Sequence, residues 1–232
     1  MPIKALVFDV FGTLVDWRSG VTRDVERLLA RDHPDLDGAS FADAWRARYQ
    51  PSMEDVRTGR RAWVDLDALH SESLDRVLEQ FGISVNLETR HALVLAWHRL
   101  DAWPEVPDAL ARLRERFLMA PVSNGHVALM VALARRNRIQ WDAVLGAEFV
   151  RDYKPRPEVY LSAVRALGCP AADVLMVACH SSDLAAAAAC GLSTAHIARP
   201  DEHGTGRGEA KPEVPVDFVA TDLNDLAGQL SN

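Results

Sequence analysis

The chain has 232 residues, of which 26 are basic and 33 acidic, giving a net charge of −7. That balance argues against a nucleic-acid partner, and the basic residues form no run beyond the pairs Arg60-Arg61 and Arg135-Arg136. A hydrophobic share of 48% is ample for a core, yet no stretch approaches ~18 apolar residues, so no membrane partner is expected.

Three cysteines, Cys169, Cys179 and Cys190, have no metal-type spacing. A sparse, odd set fits a reducing cytosol better than a disulfide scaffold. The N-terminal apolar run is short and ends in Asp9, unlike a cleavable signal, so the expected compartment is the cytoplasm.

The first element is the apolar run from Ile3 to Val10, which reads as a strand buried on both faces. Helical patterns follow at Val21 to Ala30, Phe41 to Tyr49, Leu66 to Phe81 and Leu87 to Leu100. Arg31 to Ser40 reads as a loop, and Glu54 to Asp65 fits no clear pattern. No strand is predicted between Leu14 and Trp103. Beyond it, strands are predicted at Leu118 to Ser123, Val144 to Phe149, Val174 to Ala178, Thr194 to Ala198 and Asp217 to Ala220. Helices are predicted between and after them, at Val106 to Phe117, His126 to Asn137, Pro157 to Leu167, Asp183 to Cys190 and Leu223 to Leu230.

Strands alternating with helices mean a parallel sheet. A single crossover needs only ~10–12 residues beyond its strand, so the long helical interval after the first strand reads as an insertion. The expected organisation is an α/β, Rossmann-like core of residues 1–16 and 101–232, with an α-helical cap domain of residues 17–100. The polar, Gly- and Pro-rich stretch from Ala198 to Pro215 is expected to be a mobile loop.

Ligands of open α/β sheets bind at the carboxyl ends of the strands. Four predicted strand ends carry chemistry there. Asp9 ends the first, with Gly12 for a sharp turn and Thr13 to orient the carboxylate. Ser123-Asn124-Gly125 ends the second and suits an anion cradle. Lys154-Pro155 follows the third, with Tyr160 six residues on; Cys179-His180-Ser181-Ser182-Asp183 follows the fourth. A lysine beside Asp9 would keep it ionised, and an ionised Asp in a dry pocket is a competent nucleophile. Asp183 could hold Lys154 or help position a water.

This order resembles the four motifs of the haloacid dehalogenase superfamily of hydrolases, along essentially the whole chain. Phe8-Asp9-Val10-Phe11-Gly12-Thr13-Leu14 is similar to the first motif, Ser123-Asn124 to the second, Lys154-Pro155 to the third and Asp183 to the fourth. The superfamily's phosphatases place a second acid where this chain has Phe11, and a further acid in the fourth motif. An aromatic at that position is shared with the L-2-haloacid dehalogenases, and Trp45-Arg46 resembles the pair that those enzymes carry on a cap helix. The resemblance therefore implies hydrolysis of a small-molecule 2-haloalkanoate by way of an ester on Asp9, without metal or cofactor. It implies catalytic roles for Asp9, Thr13, Lys154 and Asp183. Arg46 and Asn124 would cradle the halide, Phe11 would be an apolar wall and Ser123 would hold the substrate carboxylate. Lys154 with Tyr160 also matches the dehalogenase pattern. His180 has two readings, a contact to substrate or water and a hydrogen-bonded strand-end histidine. Trp17-Arg18 and Trp63 suit pocket or packing equally. Members are often homodimers, although no stretch here marks an interface. Two alternatives stay open: a phosphatase that uses Mg²⁺, and a non-catalytic binding protein on the same fold.

Overall fold

Ala5–Phe8 (β1) is buried on both faces, as its apolar run requires. Leu6 and Phe8 enter one hydrophobic cluster, Ala5 and Val7 the other. The computed structural model describes residues 3–231; Met1, Pro2 and Asn232, which the expected core includes, lie outside the described residues. The further strands are Val15–Asp16 (β2), Asp101–Ala102 (β3), Leu118–Ser123 (β4), Leu145–Gly146 (β5), Val174–Ala178 (β6), Ser193–Ile197 (β7) and Phe218–Ala220 (β8). Six of them form one parallel sheet in the order β5-β4-β1-β6-β7-β8. Ala5 pairs with Leu118 on one side and Val174 on the other, so the residues that follow β1, β4 and β6 emerge on one edge.

Between β2 and β3 the chain is helical: Trp17–Leu29 (α1), Gly38–Arg46 (α2), Tyr49–Arg57 (α3), Leu66–Gln80 (α4), Leu87–Val94 (α5) and a 3₁₀ turn, Leu95–Arg99. This is the cap. Asp16, Asp37, Asp65 and Asn86 start α1, α2, α4 and α5 by accepting first-turn backbone N–H bonds. Trp17, Trp45 and Trp97 are fully buried and pack on one another, with Trp45 edge-on to Trp97 at 5.6 Å and Trp17 stacked on it at 6.2 Å. Around the sheet lie Val106–Arg114 (α6), Val127–Arg136 (α7), Ala147–Val150 (α8), Pro157–Ala166 (α9), Ser181–Ala189 (α10) and Leu223–Ser231 (α11). Among the described residues no helix is long and apolar enough to cross a membrane.

Several sequence expectations need correction. The interval from Leu14 to Trp103 does contain strand: β2 and β3 pair antiparallel, Val15 with Ala102 and Asp16 with Asp101. Two residues are too few to show a two-residue period. The predicted strand from Val144 to Phe149 shrinks to β5, because the backbone turns at Gly146 (φ 117°) and the next four residues form α8. The single helix predicted from Phe41 to Tyr49 is the end of α2 and the start of α3. Leu87 to Leu100 is α5 continued by the 3₁₀ turn. The loop after β7 is irregular, as its Gly and Pro content predicts, but it is anchored rather than loose. Arg199 and Glu202 are buried. Arg199 donates to the Thr13 carbonyl at 3.0 Å and pairs with Glu105 at 2.6 Å.

Candidate active site

Asp9 leaves β1 into the turn that Gly12 makes at φ +86°. A Cβ there would run into the Glu202 carboxylate, so only glycine lets the loop after β7 close on this turn. Asp9 is 8% exposed, and its carboxylate has a donor on each side. Lys154 Nζ lies 3.3 Å from Oδ1. On Oδ2, the Thr13 hydroxyl donates at 2.9 Å and His180 Nδ1 lies at 3.3 Å. Thr13 in turn accepts from the Cys179 backbone N–H at 3.0 Å, tying the turn to the end of β6. Lys154 Nζ donates to Asp183 Oδ2 at 2.6 Å, and the Tyr160 hydroxyl donates to Asp183 Oδ1 at 2.5 Å. Asn124 Oδ1 accepts from the Lys154 backbone N–H at 2.8 Å. All four predicted strand ends thus converge.

The charges are buried, and their partners decide their state. Burial would raise the Asp9 carboxyl, but Lys154, His180 and the Thr13 hydrogen bond hold it well below the usual range. Burial would lower the Lys154 ammonium, yet Asp183 and Asp9 keep it raised and charged. Burial and the neighbouring Asp9 charge raise Asp183, against the pull of Lys154. Burial opposes charge on His180, while Cys179 beside it and hydrogen bonds to Asp9 and Glu202 raise it well above its ordinary value. Because burial also raises the Cys179 thiol, the two carboxylates are what hold His180 protonated. Glu202 accepts from His180 Nε2 at 2.9 Å and from Trp17 Nε1 at 3.0 Å. Burial would raise Glu202; His180, Arg46 and His203 bring it down to about 2.

A pocket of about 1120 Å³ opens in front of Asp9, lined by Phe11, Arg46, Asn124, Tyr160, His180 and Asp183 among others. Phe11 stands edge-on to Tyr49 and Trp97. The Arg46 guanidinium lies 4.1 Å over the Tyr49 ring and 5.2 Å over Trp17. Its Nη1 is buried without a hydrogen-bond partner among the described residues. A buried cation edge with no acceptor is matched to an incoming anion.

Two predicted site residues do not reach the pocket surface. Thr13 acts from behind Asp9. Ser123 is fully buried and its Oγ accepts from the Gly125 N–H at 3.1 Å, so it shapes the turn after β4 and does not line the pocket. Of the residues with two readings, Trp17 lines the pocket, Trp63 packs against Tyr153 at 6.5 Å, and Arg18 pairs with Asp43 at 2.7 Å. His180 is hydrogen-bonded, as one of its readings has it, and it lines the pocket, where the other would place it. Sequence reasoning missed Glu202. The signal was available: it follows a strand that ends on the same sheet edge as the others.

A parallel α/β core under a helical cap, with an ionised aspartate at the end of a central strand, is the architecture of an aspartate-nucleophile hydrolase. The comparisons agree. The family model described as haloacid dehalogenase-like hydrolase matches residues 3–191. An (S)-2-haloacid dehalogenase from Pseudomonas sp. strain CBS-3 is 30% identical over 203 residues, covering 85% of this chain and 86% of the relative. The crystal structure of a defluorinating L-2-haloacid dehalogenase is 41% identical, with a TM-score of 0.96 over 99% of this chain and 96% of the other. The Xanthobacter autotrophicus L-2-haloacid dehalogenase with chloropropionic acid covalently bound is 27% identical, with a TM-score of 0.83 and 99% of both chains covered. The chain belongs to the haloacid dehalogenase-like hydrolases, in the branch of the L-2-haloacid dehalogenases.

Proposed function

We propose that this enzyme hydrolyses short 2-haloalkanoic acids, in the L (S) configuration, to 2-hydroxyalkanoic acids of inverted configuration. The observation that carries the reading is Asp9: a buried carboxylate, held ionised by Lys154 and His180, facing a pocket where Phe11 stands in place of a second acid. Halide leaves without a proton, so an apolar wall suffices at that position.

In the first step Asp9 attacks C2 opposite the halogen. The C–halogen bond breaks as the C–O bond forms, and the electron pair leaves with the halide. Arg46 and Asn124 receive the halide, where a fixed donor in a dry site stabilises leaving charge most. Thr13 and Lys154 hold the Asp9 carboxylate, and Tyr160 holds Asp183. Ser123 supports the backbone turn that faces the substrate carboxylate.

Esterification removes the Asp9 charge, and with it one of the two anions that hold His180 protonated. The Nδ1 proton goes to solvent, while Glu202 retains the Nε2 proton and so fixes the tautomer. The freed Nδ1 takes a proton from a water that attacks the Asp9 ester carbonyl. As the ester collapses, His180 protonates the departing alkoxide. It then takes the proton of the regenerated Asp9 carboxyl, restoring the starting ion pair. Asp183 positions the water through Lys154.

The same bonds support a metal-free reaction. Both oxygens of Asp9 and both of Asp183 already accept from protein donors, and the Phe11 side chain offers no ligand, so the side chains present do not fit an oxygen-coordinated Mg²⁺. We place the core at 1–16 and 101–232 and the cap at 17–100, with the β2–β3 pair at the junction. Three free cysteines support a cytoplasmic location, and a homodimer remains the assembly that the resemblance implies.

The test is halide release from each enantiomer of 2-chloropropionate, with and without EDTA. Release from the L form only, indifferent to EDTA and lost in Asp9→Asn, is the expected result. No release from chloro-, bromo- or fluoroacids, with magnesium-dependent phosphate release instead, would overturn the reading.

A further inference from the structure

Away from the Asp9 pocket, three side chains from three elements meet. Asp67 lies in the first turn of α4, His98 in the 3₁₀ turn Leu95–Arg99, and His126 caps the start of α7, next to Ser123-Asn124-Gly125. The first two belong to the cap and the third to the core; none of them lines the Asp9 pocket. His98 Nε2 lies 2.9 and 3.0 Å from the two Asp67 oxygens. His126 Nε2 lies 3.5 Å from Asp67 Oδ2. One donor atom from each residue falls within 4.8 Å of the others.

We propose that Asp67, His98 and His126 bind one divalent cation of the zinc class, which fastens the cap to the core.

The donor set suits that ion. Two imidazoles and a carboxylate are borderline donors, favoured by Zn²⁺ over Mg²⁺ or Ca²⁺. Metal–ligand bonds of about 2.0–2.1 Å in a tetrahedron separate ligand atoms by about 3.3 Å. His98 and His126 lie 3.0 and 3.5 Å from Asp67 Oδ2, within a few tenths of an ångström of that value, and the two imidazoles offer ligand atoms within 4.8 Å of each other, so closing on an ion draws the two rings together. His126 is a buried ring whose Nδ1 has no partner among the described residues and whose Nε2 has only this long contact. A buried imidazole so weakly satisfied is missing a ligand. Asp65 and Glu148 add negative field at His126, and Glu148 also accepts the Val127 N–H at 2.6 Å. The Asp67 side chain is 31% exposed, which gives the ion an entry path and a water its fourth position.

The test uses the whole chain, stripped with chelator and titrated with Zn²⁺ alone by calorimetry, with Co²⁺ as the spectroscopic probe. The expected result is one equivalent of Zn²⁺, a tetrahedral Co²⁺ spectrum without thiolate charge transfer, and a melting temperature raised ~5–10 °C at a hundredfold excess over Kd. His98→Ala and Asp67→Asn should weaken binding at least tenfold, and Cys179→Ala should not. X-ray absorption on the unmutated protein should show two imidazoles and no sulfur, which keeps the test open if a variant fails to fold. Unchanged affinity in His98→Ala would overturn the proposal. So would a cobalt–thiolate band lost in Cys179→Ala, which would move the ion to Cys179, His180 and Glu202. Unchanged affinity in His98→Ala leaves the Asp9 reaction untouched, whereas an ion on Cys179, His180 and Glu202 would occupy the proposed base of ester hydrolysis and its partner.

Discussion

Glu202→Gln separates the two chemical steps. Glu202 is 2% exposed, and its Oε1 accepts from Trp17 while its Oε2 accepts from His180. Glutamine keeps the shape but has a single acceptor oxygen for Trp17 and His180, and it removes the charge facing His180. A hydrogen bond to a charged group contributes about 1.5–3 kcal/mol, and the imidazolium formed as water attacks the ester would lose that support. The hydrolytic step should slow about 10- to 150-fold. Alkylation of Asp9 does not form a new charge on His180, so kcat/KM, which reports on events up to halide departure, should change by less than about threefold. KM should then fall together with kcat. The assay is stopped-flow halide release on L-2-chloropropionate, with intact-protein mass spectrometry of quenched samples. The expected record is a burst of one halide per active site and an ester that accumulates on Asp9. A fall in kcat/KM equal to the fall in kcat, with no burst and no ester, would refute the argument that Glu202 serves the second step through His180.

Other consequences follow from the same geometry. Arg46→Ala removes a preorganised donor for the leaving halide, and kcat/KM should drop about 10²–10³-fold in ion-chromatographic halide assays; Arg46→Lys should recover only part, lacking the fork. His180 is raised above its ordinary 6.5, so its ion pairs stabilise the fold fully below that pH and are lost as pH rises through the raised value. In melting curves, the gap between parent and His180→Gln should be widest below 6.5 and close on the alkaline side; a gap independent of pH would contradict the ion pairing. Asp9 is lowered from 3.8, so its contribution is present above that pH and is lost as pH falls through the lower folded value; loss of parent stability without Asp9→Asn following is the signature in acid melts. Gly12→Ala forces a Cβ into the Glu202 carboxylate at positive φ and should cost about 1–3 kcal/mol in denaturant unfolding.

The sheet was legible because its central strands are short apolar runs bounded by turns. β4 and β6 have the predicted bounds, Leu118–Ser123 and Val174–Ala178, since burial of Met119 to Val122 and of all of β6 leaves only apolar residues there. The four strand-end motifs were legible because a parallel sheet brings every carboxyl end to one edge, whatever the sequence distance. Asp9 and Asp183 lie 174 positions apart in number, yet one ammonium touches both. The small elements were not legible. β2 and β3 owe their existence to the pairing of two distant segments at the neck of the cap, and no local pattern encodes that. The end of the predicted 144–149 strand was lost because Phe149 is apolar yet exposed, so hydrophobicity alone misplaced it.

The loop after β7 shows why a polar composition is a poor guide to looseness. Its Gly and Pro residues do exclude regular structure, but Arg199, Glu202 and Glu209 each have partners fixed by the fold. Glu209 accepts from the Ser181 N–H at the start of α10, where a carboxylate is favoured by the free first-turn donors. Glu202 meets His180, whose charge it needs if both are to be buried. The buried charges Arg199 and Glu202 are costly alone and stable only with their partners, Thr13 and Glu105 for the first and His180 and Trp17 for the second. The loop is therefore held by the same residues that build the nucleophile's surroundings. That coupling makes Gly12 a requirement of both: the turn that presents Asp9 must leave room for Glu202, and only a residue without a Cβ does so.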